Sequence, residues 1–117
     1  MRQLVIFAFQ KQIEHITMVK HVILWKLKDE LTESQKETVK AEIKAGLEGL
    51  AGKIPGLVSI KVNTEGLSTS NVDLMLDSSF ESFEALKGYS VHPEHVAVAD
   101  GKVRPNTAGR YCLDFEE

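Results

Sequence analysis

The sequence is short of several residue types whose absence restricts its function. It contains a single cysteine, Cys112, so an intramolecular disulfide is excluded, and a reducing, cytoplasmic location is the simpler expectation. No segment has GxGxxG or P-loop spacing, so nothing supports nucleotide chemistry. The 14 basic and 17 acidic side chains are scattered without a basic stripe, which disfavours nucleic acid as a partner.

The sequence also lacks an apolar run long enough to cross a membrane, so no membrane partner is predicted. The run at residues 4–9 is far too short to span a bilayer, and no small-residue cleavage site follows it to favour a secretion signal. We expect residues 1–17 to form a poorly ordered N-terminal extension, with an additional strand at residues 4–9 as the alternative. Residues 18–117 then form one domain, which is large enough to fold without metal or disulfide.

Alternation and helical spacing are present over most of the chain. The segment VKHVILWKLK alternates as a half-buried strand does, and one of its faces carries the side chains of His21, Ile23 and Trp25. Thr32 and Gln35 have capping-box spacing and predict the start of a helix. Helical spacing predicts that its buried stripe comprises Val39, Ile43, Leu47 and Leu50.

The second half of the sequence predicts three more strands and two more helices. The strands are expected at residues 57–65, 72–76 and 111–115. Residues 78–81 repeat the capping-box spacing and predict a second helix that ends near Gly88, with Phe83 and Leu86 facing inward. Pro93 suits the first turn of a short third helix. The order β-α-β-β-α-(α)-β indicates an α+β fold of ferredoxin-like type with an antiparallel sheet.

One face of that sheet is predicted to need a partner. Two main helices can cover only one side of a four-stranded antiparallel sheet, and the other side carries several apolar residues. These include Val22, Leu24, Met75 and Leu113. Because a contiguous exposed apolar surface is disfavoured for a monomer, we expect a homodimer in which the open sheet faces pack together.

Four segments of the sequence together resemble the stress-responsive A/B barrel (Dabb) family. They are VKHVILWKLKDELTESQKE, VDLMLDSSFESFEALKGY, HPEHVAVAD and RYCLDFE, and they extend over residues 19–116. The resemblance implies a dimeric α+β barrel made by two copies of the chain. Most members of the family have no assigned reaction, but the sequence is also similar to a plant polyketide cyclase among them, which works without a metal or cofactor. The resemblance therefore implies a small carbonyl or polyketide-like ligand in the barrel and no cofactor.

The segment YSVHPEH holds the candidate catalytic residues. By resemblance to the Tyr-x-x-His-Pro-x-His motif of the cyclase, Tyr89 and His95 form the catalytic pair, and His21 lines the same cavity. Ile23 and Trp25 share the strand face of His21 and are expected to bind substrate with it. The pairing suits proton transfer, because an imidazole takes up a proton near neutral pH and a phenol can hold the imidazole or a developing oxyanion.

The sequence also departs from the cyclase pattern. The segment ETVKAEIKAGLEGLAGKIP in the first helix has no aromatic residue, whereas the cyclase brings aromatic residues to its pocket there, and Asp73 lies near a cyclase histidine. We therefore expect a smaller or more polar pocket. A core anchor at Tyr89 and a structural hydrogen-bonding role for His95 are the alternatives to a catalytic pair.

Metal and thiol chemistry find less support. His92 and His95 have H-x-x-H spacing, but Pro93 interrupts them, and further ligands would have to come from His21 or Cys112. We therefore predict no metal site and interpret His92 as the cap of the helix that begins at Pro93. Cys112 lies on a predicted central strand without any sign of thiolate activation, so it is not a candidate nucleophile.

Two functions remain open, and the sequence does not decide whether the protein is an enzyme. The first is a cofactor-independent cyclase, isomerase or lyase that acts on a small carbonyl compound, with His95 as base and Tyr89 as its partner. The second is a non-catalytic, stress-associated homodimer that binds a small apolar ligand or has a structural role. An enzyme needs a cavity in which Tyr89 and His95 converge, whereas a structural protein fills that space with side chains.

Overall fold

The computed structural model describes residues 18–117, and the alternatives predicted for residues 1–17 lie outside this part of the chain. The strands are β1 (Val19–Leu27), β2 (Leu57–Asn63), β3 (Leu74–Phe80) and β4 (Thr107–Glu116). The helices, none of them long and apolar enough to cross a membrane, are α1 (Glu33–Glu48), α2 (Phe83–Val91) and α3 (Pro93–Val98). A π turn over Ala99–Val103 and a 3-10 turn over Arg104–Asn106 lead from α3 into β4. This order confirms the predicted β-α-β-β-α-(α)-β arrangement.

The strands form one antiparallel sheet in the order β2-β3-β1-β4. β1 lies inside the sheet, between β3 and β4, and its alternate residues face the core as predicted. These buried residues are Val19, His21, Ile23, Trp25 and Leu27. Within residues 18–117, β4 pairs only with β1, so the prediction that Cys112 lies on a central strand is wrong. Cys112 is exposed on an edge strand.

α1 begins and packs as its sequence predicts. The Thr32 hydroxyl accepts a hydrogen bond from the Gln35 amide at 3.1 Å, and the Thr32 amide donates to the Gln35 side chain at 2.8 Å. These reciprocal bonds satisfy two amides that would otherwise lack partners at the helix start. The predicted apolar stripe of α1 and the turn after it is buried in the core, and it comprises Val39, Ile43, Leu47 and Leu50.

α2 begins later than predicted. β3 continues past the expected helix start, because Ser78 pairs with His21 in the ladder between β3 and β1 and donates its hydroxyl to the His21 carbonyl at 2.8 Å. The helix is capped instead by Ser82, whose hydroxyl accepts a hydrogen bond from the Ala85 amide at 3.1 Å. The prediction of a helix start at residues 78–81 is therefore wrong, since tertiary strand pairing outweighs the local capping pattern.

The faces and the end of α2 also differ from the prediction. Phe83 is the first residue of the helix and is 54% exposed, so the prediction that it faces inward is wrong, whereas Leu86 is buried as predicted. Gly88 does not end the helix, which continues beyond it. Among the described residues, the glycines with the left-handed φ typical of such stops are Gly52 and Gly56.

Gly56 occupies a crowded position in the turn before β2. Its φ is +81°, and a Cβ there would lie 2.4 Å from the Ala85 Cβ on α2. Gly52 has a similar φ of +79°, with nothing within 4 Å of its Cβ position. We expect Gly56→Ala to lower the free energy of unfolding by about 1–3 kcal/mol more than Gly52→Ala, because only the first adds a steric clash. Urea unfolding of both variants measures the difference, and equal losses would contradict it.

The sheet face opposite the helices is apolar and is left uncovered by residues 18–117. On β4 this outer face carries Tyr111, Leu113 and Phe115, which are 61%, 64% and 40% exposed. Leu113 lies opposite Val22 in the strand register, and Tyr111 lies opposite Leu24. The sheet therefore presents apolar side chains on both faces, as the sequence predicts.

Candidate active site

A cavity of about 160 Å³ lies between the inner face of β1 and the helices. Its wall includes every side chain predicted for the site, namely His21, Ile23, Trp25, Tyr89 and His95. Leu47 of α1 adds to the apolar part of the wall, and Arg104 and Arg110 add positive charge. The structure thus brings the predicted residues together, while their roles in binding and catalysis stay predictions.

Tyr89 projects from α2 into an aromatic cluster beside the cavity. Its ring meets Phe80 edge-on with the centroids 5.0 Å apart, and it meets His21 edge-on at 6.0 Å. The His95 ring is tilted by 33° against it at a centroid distance of 4.1 Å. Tyr89 is 1% exposed, and its hydroxyl has no hydrogen-bond partner within residues 18–117. Because burial raises the pKa of Tyr89 above its ordinary value, the hydroxyl keeps its proton and is available as a donor.

His95 carries a second buried polar atom without a partner. No hydrogen bond from the described part of the chain reaches its Nδ1 atom. Burial lowers the pKa of His95 below its ordinary value, and the positive charges of Arg104 and Arg110 lower it further. A hydrogen bond with the Ser90 backbone opposes part of this effect. His95 is therefore neutral at neutral pH, and a neutral imidazole can accept a proton.

Acid is expected to destabilise the fold through His95. Because the pKa of His95 is lowered in the folded state, the unfolded chain binds the proton more readily. The contribution of neutral His95 to the free energy of unfolding is present above the ordinary pKa of 6.5 and is lost as the pH falls below that value. In His95→Gln this contribution is removed. The free energy of unfolding, measured with urea, should therefore fall more for the wild type than for His95→Gln when the pH is lowered from about 7.5 to about 5.5. Equal decreases in the two proteins would contradict the burial of a neutral imidazole.

The link between α2 and α3 determines how the rings of Tyr89 and His95 meet. His92 ends α2 and caps α3, since its Nδ1 accepts a hydrogen bond from the Glu94 amide at 3.1 Å, and Pro93 occupies the first turn. The prediction that His92 caps this helix is confirmed. Because one residue joins the two helices, Tyr89 and His95 come from different helices and lie with their rings in contact.

His21 is held at the sheet by β4. Asp114 lies opposite it in the register of β1 and β4, and the Asp114 carboxylate is 2.5 Å from His21 Nδ1. The Cys112 sulfur is 3.8 Å from the same nitrogen and 3.5 Å from Asp114 Oδ1. Alternation along β4 places Cys112 and Asp114 on one face of the strand. Only the strand register, which the sequence does not give, brings that face to His21.

Cys112 does not have the environment of a nucleophile. Burial raises the pKa of its thiol, and the Asp114 carboxylate raises it further, so the thiol is protonated at neutral pH. In the part of the chain that the structure describes, the side chains close enough to share a metal ion are those of His21, Cys112 and Asp114. The ligand set suggested by H-x-x-H spacing does not form, because His92 and His95 lie outside this group.

Besides His21, Tyr89 and His95, the cavity has charged residues that the sequence pattern does not single out. Asp73, expected near the pocket, does not line it, because its carboxylate accepts a hydrogen bond from the Leu27 amide at 2.8 Å. Arg104 and Arg110 line the cavity instead. Arg104 is paired with Asp100, while Arg110 makes no ion pair within residues 18–117. Positive charge at the cavity thus comes from Arg104 and Arg110, and finding Arg110 requires the position of β4 in the sheet.

Comparison with known proteins relates the chain to a family. Over residues 19–117 the sequence matches the family described as Stress responsive A/B Barrel Domain. The chain is also 34% identical over 85 residues to olivetolic acid cyclase from Cannabis sativa, and the match covers 70% of this chain and 80% of the cyclase. The sequence relationship therefore extends over nearly all of the described domain.

Solved structures agree with this relationship. A dimeric protein of unknown function with a ferredoxin-like fold from Bacteroides fragilis is 32% identical, with a TM-score of 0.80 and coverage of 86% of this chain and 96% of that one. A dimeric ferredoxin-like protein of unknown function from Thermobifida fusca shares the fold at 24% identity and a TM-score of 0.70, covering 86% and 92% of the two chains. The predicted ferredoxin-like α+β fold and the family are confirmed, and the chain belongs to the stress responsive A/B barrel domain family.

Proposed function

We propose that this protein is an enzyme that uses acid–base chemistry on a small carbonyl compound, as a cyclase, isomerase or lyase. The observation that carries the proposal is a pair of buried polar atoms at the cavity, the Tyr89 hydroxyl and His95 Nδ1, which have no hydrogen-bond partner within residues 18–117. Leaving a buried polar group unpaired costs about 1–3 kcal/mol, so a fold that keeps two of them beside a cavity favours a role for them in contacting a ligand. The similarity to a polyketide cyclase supports the same class of chemistry.

In the proposed reaction His95 is the base and Tyr89 is the hydrogen-bond donor. The neutral imidazole takes a proton from the carbon next to the substrate carbonyl, and the electron pair of that C–H bond moves onto the carbonyl oxygen to give an enolate. The Tyr89 hydroxyl donates a hydrogen bond to this oxygen. In a cyclase the enolate carbon then attacks a second carbonyl carbon, whose oxygen becomes an alkoxide. In a lyase the enolate forms a C=C bond as the bond between the adjacent carbon and its leaving group breaks. In an isomerase the enolate is protonated at a different atom. The imidazolium returns its proton to the product.

The wall of the cavity defines the substrate further. An apolar surface suited to a short hydrocarbon or ring portion is supplied by Ile23, Trp25 and Leu47. Arg110 supplies a positive charge without an ion pair in the described residues, and Arg104 lines the same cavity. We therefore expect a substrate with an apolar body and a carboxylate or other anionic end. His21, held by Asp114, is the remaining polar group that we assign to substrate binding.

We also infer that two copies of the chain pair through the outer sheet face. Tyr111, Leu113 and Phe115 form an exposed apolar strip along β4, and Val22 and Leu24 adjoin it in the register. Removing such surface from water contributes roughly 25 cal/mol per Å², so covering it favours association. The similar structures described as dimeric support the pairing of two copies. Two sheets packed face to face in this way would form the α+β barrel.

Deuterium exchange tests the catalytic part of the proposal, whichever reaction follows. The protein is incubated in D₂O with small keto acids whose uncatalysed exchange is slow, and deuterium uptake next to the carbonyl is followed by NMR. We expect wild-type protein to accelerate this uptake. Trp25, the single tryptophan of the chain, lines the cavity and reports ligand binding by its fluorescence. A keto acid that quenches Trp25 without any gain in exchange would favour the non-catalytic, ligand-binding alternative.

A further inference from the structure

Three different donor atoms converge beside the cavity, where β1 and β4 pair. Within residues 18–117, His21 Nδ1, Cys112 Sγ and Asp114 Oδ1 all lie within 4.8 Å of one another. Asp114 is opposite His21 in the register, and Cys112 is opposite Ile23, so both β4 side chains share the face of His21. Because ladder hydrogen bonds fix both strands, the backbone positions of the three donors are set before any ligand binds.

The arrangement is not that of a nucleophile relay. In such a relay one imidazole nitrogen takes the proton of the nucleophile, while the carboxylate holds the other nitrogen. Here the Cys112 sulfur at 3.8 Å and the Asp114 carboxylate at 2.5 Å both face Nδ1 of His21. Instead, a nitrogen, a sulfur and an oxygen atom face one position, which is the arrangement of ligand atoms around a bound cation.

The separations fit a tetrahedral ion of the size of zinc. Bonds of about 2.0–2.3 Å to nitrogen, oxygen and sulfur give distances between ligand atoms of about 3.4–3.6 Å. The Cys112 sulfur lies 3.8 Å from His21 Nδ1 and 3.5 Å from Asp114 Oδ1, close to these values. The 2.5 Å hydrogen bond between His21 and Asp114 has to widen by about 0.9 Å when an ion replaces the shared proton. The Asp114 side chain is partly exposed, so rotation about its own bonds can supply this movement.

We propose that His21, Cys112 and Asp114 bind one divalent transition-metal ion, for which Zn²⁺ is the best match. Imidazole and thiolate favour zinc over magnesium and calcium, which prefer oxygen ligands. Three protein ligands leave a fourth tetrahedral position for water or a substrate atom. His21 and Cys112 are 91 residues apart in the sequence, so local H-x-x-H spacing does not reveal the site. The proposal does not rest on the acid–base chemistry above, since neither Tyr89 nor His95 is a ligand.

Cobalt(II) titration of the full chain tests the site, because Cys112 is the single cysteine of the sequence. A thiolate bound to Co²⁺ gives a charge-transfer band in the near ultraviolet, and only Cys112 can produce it. With the protein reduced and at neutral pH, we expect the band to saturate at one Co²⁺ per chain and to disappear when Zn²⁺ displaces the cobalt.

Single substitutions at Cys112, Asp114 and His92 distinguish metal binding at this site from binding elsewhere on the chain. Cys112→Ser should abolish the band, and Asp114→Asn should weaken Zn²⁺ binding by about tenfold or more, measured by competition with a zinc indicator. His92→Asn keeps a helix-capping side chain and should bind both ions as the wild type does. Circular dichroism establishes that each variant is folded. Absence of the band, saturation at one ion per two chains, or unchanged Zn²⁺ affinity in Asp114→Asn would each overturn the proposal and leave a hydrogen-bond network in its place.

Discussion

Replacing His95 with glutamine is expected to slow the exchange of the proton next to a substrate carbonyl by about 10²–10⁴-fold, the range usual for loss of a general base. Glutamine fills much of the same space and forms hydrogen bonds, but it cannot take up a proton at neutral pH. The Tyr89 hydroxyl is retained, so ligand affinity should change far less than the rate. Exchange rates by NMR at saturating keto acid measure the first quantity, and quenching of Trp25 fluorescence measures the second.

His92→Asn is the matched control for this experiment. His92 caps α3 through the Glu94 amide and does not line the cavity. Asparagine is itself a favourable N-cap residue, so α3 should be preserved and the exchange rate should equal that of the wild type. If His95→Gln also exchanged at the wild-type rate, another group would be the base, and the assignment of His95 would be wrong.

Replacing Leu113 with glutamate is expected to separate the proposed homodimer. Leu113 is 64% exposed on the outer face of β4, opposite Val22 in the register. In a two-fold dimer each copy would bury its own glutamate. Because an unpaired buried charge costs several kcal/mol, the dissociation constant should rise about 100-fold or more. Size-exclusion chromatography with light scattering over a concentration series would then show a monomer where the wild type is a dimer.

Val91→Glu introduces the same charge at an exposed apolar position that is not on the sheet. Val91 is the last residue of α2. This variant should remain dimeric, which would separate an effect at the sheet face from a general effect of added charge. A Leu113→Glu protein that stays dimeric would place the interface elsewhere and refute pairing through the outer sheet face.

Elements whose ends and faces are decided by near neighbours could be predicted from the sequence. Thr32 and Gln35 form both bonds of the capping box, and alternation along β1 places His21 on the buried face. In these cases the deciding contacts are made within four residues or follow from side-chain periodicity, so they can be inferred from short segments.

Where strand pairing decides the secondary structure or the residues at the site, short segments of sequence were not enough to predict them. Ser78 lies in a capping-box pattern but belongs to β3, because ladder pairing with β1 and β2 stabilises the strand. One face of β4 carries Arg110, Cys112 and Asp114. Only the register with β1 brings this face to His21 and the cavity. That register joins residues 93 positions apart, as in the contact of Asp114 with His21, and no local pattern encodes it.

α3 differs from the other helices and strands beside the cavity because it is short and has little buried surface. Tyr89 stands on α2 and is buried, whereas α3 has 6 residues and none of them is fully buried. A short element with little buried surface opens locally at a lower free energy than the core beside it. We therefore expect α3, with His95, to open more readily than the buried face of α2 that carries Tyr89. Because the His95 ring lies against the Tyr89 ring, we expect transient opening of α3 to uncover Tyr89 while the sheet stays intact, and the proposed substrate would enter and leave by this route.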